Sequence, residues 1–404
     1  MTGQSTPGER NAERTGAILS LLLVASVTEA MFLVLPSFVG ALSDILKMAP
    51  SRIGLLGSAD LAGIAVATAT GPWWLRRLAW RRTTAWALGI FSVANGLCFG
   101  VVDFWLLLSL RSVAGLAAGT AYVVALAGIV DTRHATRNSG LLVCTQVVFA
   151  AAGLYAIDAI PIAWRLNAVY AYILAWTVPT FLCCWKYFPE DPGDRPVTQA
   201  IEWEQIGLPG AAALAGTCLY FLMIGGVWGY IEGVAREAGL TLRQVGTTLG
   251  LGLSISIIGP ILAAWLGLRL GRALPLIVTA LAQLISLYLL IHLKAFSGVV
   301  LAFFIINTVF NIVWNYVIAY FITIFDEIDP SGRFVALYGT ASHAALAAGP
   351  FAGALIIHEG HYAPLLWFGI AAVAGSFAFF LLAVQMTRSD ATERAVTDDL
   401  SSQI

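Results

Sequence analysis

Apolar residues along this chain come in long, nearly uninterrupted runs separated by short polar breaks. A helix that crosses a bilayer needs about 20 mostly apolar residues, because the hydrocarbon layer is roughly 30 Å thick and each residue rises about 1.5 Å. Twelve runs meet that need: 17–41, 52–74, 84–101, 104–130, 139–157, 166–185, 207–231, 244–267, 274–291, 298–324, 334–357 and 363–386. Several are closely coupled, the tightest link being Val101, Val102 and Asp103. The longest polar interruption, from Lys186 through Pro189, Pro192 and Pro196 to Gln205, divides the runs into six and six. Its prolines and charges predict an irregular linker. The pattern therefore predicts an all-α integral membrane protein with a bundle at 1–188, a linker at 189–206, a second bundle at 207–387 and a tail at 388–404.

The two halves echo each other. Pro50, Ser51, Arg52, Ile53 and Gly54 open the second run; Thr241, Leu242, Arg243, Gln244, Val245 and Gly246 open the eighth. Arg76 and Arg77 follow the second run as Arg269 and Arg272 follow the eighth. Weak internal symmetry of two six-helix halves is a mark of transporter folds built from repeats.

Composition agrees with the runs. Hydrophobic residues make up 59% of the 404 and charged residues only 11%, against roughly 25% charged in an ordinary soluble domain. A net charge of −1 gives no global basis for a nucleic-acid partner. The position of the charges says more, since Lys and Arg favour the cytoplasmic side. With the N-terminus inside, fifteen of the 22 fall in cytoplasmic segments and six in outer loops, Arg111 within a helix being the last. Both termini are thus expected in the cytoplasm of a multi-pass protein of an inner-type cell membrane. About sixteen polar residues precede the first run, and no convincing cleavage site follows it, so the first helix is expected to be retained. The five cysteines all lie in apolar runs without metal-ligand spacing and read as packing residues.

At this point the sequence resembles the major facilitator superfamily over nearly its whole length. The stretch from Gly71 through Arg76, Arg77, Arg81 and Arg82 resembles the family's loop signature after helix two, with Leu75 in place of its Asp. The second copy, ending in Gly271 and Arg272, has Leu268 at that place. The resemblance implies a charge relay at the cytoplasmic face that this chain lacks in its usual form. Arg111, Gly115 and Gly119 resemble the family's Arg-then-glycine pattern in helix four, where glycines four apart let another helix approach closely. The Gly-Pro element of family antiporters is absent from 139–157, although Gly349–Pro350 and Gly259–Pro260 occur elsewhere.

An ionisable group at mid-bilayer costs roughly 2.5–3.5 kcal/mol on insertion scales, so each one should face a cavity or a partner. Three stand out: Glu29, Asp60 and Arg111. In the family the first and fourth helices line the central cavity, which makes a Glu29–Arg111 pair plausible. Burial favours a protonated carboxyl group and a nearby arginine favours an ionised one; a proton carrier can exploit the difference. Glu29, with Asp60 as second candidate, is therefore expected to couple transport to protons, the alternative being permanent structural ion pairs. Asn307, Asn311 and Asn315 recur every four residues and so share one stripe, flanked by Trp314 and Tyr316. The stripe is expected to line a cavity, against the alternative of interhelical glue.

Arg111, Asn311, Asn315 and Trp314, with Tyr220 and Trp228, are the expected substrate contacts. His343 could join a proton path or simply bond a neighbouring helix. His358 and His361, three apart in a short loop, do not form the zinc-protease pattern. The sequence accordingly predicts a monomeric secondary transporter without cofactor or enzymatic activity. It would take up a small organic solute, an organic acid or an aromatic compound, with protons. The rival readings are proton-coupled efflux of amphipathic compounds and a non-transporting membrane sensor.

Overall fold

A computed structural model describes residues 15–190, 206–267, 269–329, 333–358 and 360–402. Almost all of them are helical, and nine of the described helices are individually long and apolar enough to cross a membrane. The first span is assembled from Thr15–Thr28, Ala30–Leu33 and Leu35–Leu46, the third is the 18-residue Trp80–Leu97, and the eleventh is Arg333–Ile356. Twelve spans result, in two bundles of six.

Helix ends run past the apolar runs in several places. The seventh span is Gly207–Glu237 and the eighth begins at Leu242, so the loop expected at 232–243 shrinks to four residues. A capping box between Thr241 and Gln244 satisfies the orphan donors at that start. The twelfth span continues as helix from Ala363 to Ser402, into the tail expected from 388. Residues 191–205 of the expected linker lie outside the described residues.

The face where the first span begins and the sixth ends is called here the linker face, and the opposite one the far face. The first span is broken at Glu29 and again at Val34. The Thr28 hydroxyl donates back to the Val24 carbonyl at 2.7 Å, a bond that bends helices. Pro36 has no N–H to give the carbonyl of Phe32, four residues earlier. That freed carbonyl accepts the indole N–H of Trp228 from the seventh span at 2.9 Å. A helix defect in one bundle thus becomes a hydrogen bond to the other. The eighth span breaks likewise at Ile257, three residues before Pro260.

Within each bundle, close helix contacts depend on glycine. A Cβ on Gly63 would lie 2.3 Å from the Gly115 carbonyl carbon, which binds the second span tightly to the fourth. A Cβ on Gly225 would lie 2.3 Å from the Leu346 carbonyl oxygen, joining the seventh to the eleventh.

Between bundles, the second span packs on the eleventh, the fifth on the eighth and the first on the seventh. Toward the far face these contacts are intimate: the Phe351 N–H donates to the Ser58 hydroxyl at 3.1 Å, and Gly246 sits against Asp158. At the linker face, Arg76 pairs with Asp131 at 2.8 Å and Arg272 pairs with Glu327, each within its own bundle. These two pairs occupy equivalent places after the second and eighth spans. The loop arginines, lacking the signature Asp, therefore reach carboxylates at the ends of the fourth and tenth spans. The conformation is closed at the far face.

Candidate functional site

Glu29 occupies the first break of the first span, about half-way through the membrane. Gln146 of the fifth span donates to its Oε2 at 2.7 Å, and Tyr122 of the fourth interacts with both side chains. From the other bundle, His343 of the eleventh span brings Nε2 to 3.5 Å from Glu29 Oε1. The His343 ring also meets the Tyr122 ring edge to face, with centroids 5.6 Å apart. His343 Nδ1 lies 2.8 Å from the Gly339 carbonyl oxygen. A carbonyl only accepts, so Nδ1 carries a hydrogen and Nε2 is the nitrogen left to gain or lose one. Glu29 and His343 can then hold one proton between them, as carboxylic acid with imidazole or as carboxylate with imidazolium. Their side chains keep 12% and 17% of their exposure, so they are not sealed from an exchanging proton.

The expected Glu29–Arg111 pair does not form. Arg111 instead grips Asp60 with two parallel bonds, Nε to Oδ2 at 2.9 Å and Nη2 to Oδ1 at 2.8 Å. Its Nη1 donates to Asn95 at 2.9 Å, and its guanidinium lies 5.6 Å from the Tyr170 ring centroid. The group is drawn from the second, third, fourth and sixth spans, and Arg111 and Asp60 are 0% and 1% exposed. Gly115 lets this happen: a Cβ there would lie 2.4 Å from the Asp60 carbonyl oxygen. Asp60 and Arg111 thus satisfy each other inside the first bundle, away from the bundle interface.

The asparagine stripe lies against the eighth span. Asn315 donates to the Ser256 hydroxyl at 3.1 Å, and the Asn307 amide nitrogen is 3.1 Å from where a Gly252 Cβ would be. Asn311 donates to the Asn307 carbonyl at 2.8 Å. Internal symmetry explains the placement. With Gly54 matched to Gly246, Asp60 corresponds to Gly252; with Asp131 matched to Glu327, Arg111, Gly115 and Gly119 correspond to Asn307, Asn311 and Asn315. The same helix face is used in both bundles, but the small residues have changed sides: Gly115 and Gly119 in the fourth span, Gly252 and Gly259 in the eighth.

Trp314, offset from the stripe, turns the other way. Its ring meets Phe32 of the first span at 6.1 Å and Trp228 of the seventh at 6.3 Å, and its indole nitrogen is buried without a partner. Phe32 is one turn from Glu29, so this aromatic group adjoins the Glu29–His343 contact at the bundle interface. Tyr220 is elsewhere: its hydroxyl accepts from Gln283 at 2.8 Å inside the second bundle, among Phe221, Phe321 and Phe377.

A second charged group escaped the sequence reading. Near the far face Arg165 of the sixth span binds Glu232 of the seventh through both terminal nitrogens, Nη1 at 2.8 Å, and also Asp158 of the fifth at 2.5 Å. Arg236 places Nη1 2.9 Å from both oxygens of Asp44. All five residues fall at the ends of apolar runs, where charges read as loop residues. They lie at four run ends, after the first, fifth and seventh runs and before the sixth, and nothing in the linear sequence brings those ends together.

Two six-span bundles meeting around buried polar groups, and closed at one face, have the architecture of a transporter that works by alternating access. The family model of the Major Facilitator Superfamily matches residues 19–350, and the chain belongs to that family. Among curated proteins none matches the sequence. Among solved structures, the chain is similar to a D-xylose–proton symporter, with a TM-score of 0.71, 15% identity, and coverage of 92% of this chain and 98% of that one. The nucleoside transporter NupG gives 0.69 at 11% identity, covering 90% and 98%. A bacterial homologue of the human lysosomal transporter Spinster, in an inward-facing and unoccupied conformation, gives 0.69 at 15% identity, covering 96% and 99%. At these identities the likeness speaks for the fold.

Proposed function

We propose that the protein is a proton-coupled secondary transporter that takes up a small ring-bearing organic solute, with both termini in the cytoplasm. The observation that carries the coupling is the Glu29–His343 contact, one ionisable group from each bundle at mid-membrane depth. Any rocking of the bundles that separates the eleventh span from the first divides the pair, and a proton shared across it must then settle on one side. The aromatic half of the substrate expectation has support from Phe32, Trp228 and Trp314, whose rings lie at the interface beside an unpartnered indole N–H. The organic-acid half loses its cation, because the Arg111 charge is already matched by Asp60. Asp60 correspondingly recedes as a coupling carboxylate, and Asn311 and Asn315 recede as solute contacts, Asn315 holding the tenth span against the eighth.

The test begins with a thermal-shift screen of aromatic compounds, nucleosides, sugars and organic acids on purified protein, followed by uptake into liposomes. Glu29→Gln keeps the size and hydrogen-bonding of the side chain but cannot titrate. It should abolish accumulation driven by a pH gradient while leaving counterflow exchange of the same solute. Normal gradient-driven accumulation by this variant would refute the coupling.

A further inference from the structure

The far-face group contains more acid than base. Among the described residues, Asp44, Asp158 and Glu232 pair only with Arg165 and Arg236, leaving one carboxylate in excess. The pairing shows which one. Arg165 spends both terminal nitrogens on Glu232, and Arg236 covers both oxygens of Asp44. Asp158 shares Arg165 at second hand, and every partner it has approaches the same oxygen: Oδ1 accepts from Arg165 Nη2 at 2.5 Å, Arg165 Nε at 3.2 Å and the Ser37 hydroxyl at 2.8 Å. Oδ2 is buried with no hydrogen-bond partner.

What covers Oδ2 belongs to the other bundle. A Cβ on Gly246 of the eighth span would lie 2.8 Å from it, so only a glycine backbone fits there. The open space beside the group lies at Glu232, Arg236 and Tyr362, which line a cavity of about 130 Å³, and the Arg236 side chain is part-exposed. A bare carboxylate oxygen in a dry site, within a group that already carries one negative charge too many, is a costly arrangement. A hydrogen on Oδ2 removes the excess charge and leaves a neutral hydroxyl there, which is far cheaper to bury than a bare anionic oxygen.

We propose that Asp158 is a second proton-binding site, which holds a hydrogen on Oδ2 while the far face is closed and releases it to water when the fifth and eighth spans part. In the release step the Oδ2–H bond breaks, its electron pair stays on the carboxylate, and the proton passes to a water admitted in place of Gly246. The closed state then binds one proton more than the open state, so acid favours closing and raising the pH favours opening. This site rests on the alternating-access reading but is independent of Glu29.

Hydrogen–deuterium exchange of the full-length protein in nanodiscs, without solute, tests it through peptides covering 154–166 and 239–252. After correction for the chemical pH dependence of exchange, protection of these peptides should fall with rising pH by up to about tenfold per pH unit in the wild type. Asp158→Asn mimics the protonated form and should stay protected at every pH. Glu232→Ala, which breaks the main cross-bundle pair, should expose both peptides. Wild-type protection that ignores pH, or follows sodium concentration at fixed pH, would overturn the proton site. So would faster exchange in Asp158→Asn than in the wild type, because a simple ion pair weakens when its charge is removed. If even Glu232→Ala leaves both peptides closed, it is the alternating-access reading itself that fails.

Discussion

Asp60→Asn separates a structural ion pair from a coupling carboxylate. In the wild type, Arg111 is wholly buried and its charge is matched by two bonds to Asp60, one to Asn95 and the ring of Tyr170. Replacing Asp60 by Asn keeps the shape but strands a guanidinium among four spans with no counter-charge. Removing one partner of a buried pair costs about 3–5 kcal/mol, whereas replacing both partners by apolar residues of similar volume is often neutral or stabilising. The single variants Asp60→Asn, Asp60→Leu and Arg111→Met should therefore each lower the melting temperature in detergent markedly. The double variant Asp60→Leu/Arg111→Met should recover most of that loss, giving an interaction energy of about 2 kcal/mol or more in the cycle. It should also still accumulate solute along a pH gradient. A double variant that is stable yet uncoupled would refute the reasoning and return Asp60 to the proton path.

Other consequences can be measured separately. Asn315→Ala removes the bond to Ser256 and should cost about 1 kcal/mol of stability without changing solute affinity, readable by thermal unfolding and binding on one preparation. Gly115→Leu would drive a side chain into the second span at Asp60 and should abolish folded protein, seen as loss of the monodisperse peak in size-exclusion chromatography. Trp228→Phe deletes the N–H bound to the Phe32 carbonyl, worth about 0.5–1.5 kcal/mol. It should shift the closed far face toward open by roughly 2–10-fold, detected as accessibility of single cysteines beside the far-face group. Cysteines placed in 191–205 should resist membrane-impermeant reagents in intact cells, while one at Arg243 should react.

The apolar runs revealed the twelve spans because burial in lipid leaves a length requirement that any sequence must show. They did not reveal where helices continue beyond the hydrocarbon, as at Glu237 and Ile328, because a helix outside the lipid has no such requirement. The depth of Glu29 and Arg111 was readable, since depth is a count of residues along a helix. Their partners were not, since these depend on rotation about helix axes: the fourth span turns Arg111 toward the second span and not toward the first. His343 was undervalued for the same reason, as nothing in the eleventh run announces that Glu29 lies opposite. The asparagine stripe was visible as a stripe, yet its direction emerges only when the tenth span is compared with the fourth, where Gly115 and Gly119 mark the same face.

The central claim, one proton shared between Glu29 and His343 across the bundle interface, is tested most directly by infrared difference spectroscopy of the purified protein through a pH titration. The account predicts a protonated-carboxyl band that titrates in the wild type, vanishes in Glu29→Gln and moves in frequency and midpoint in His343→Gln, while Asp158→Asn leaves it in place. If every titrating carboxyl band of the wild type survives unchanged in both Glu29→Gln and His343→Gln, the claim is contradicted.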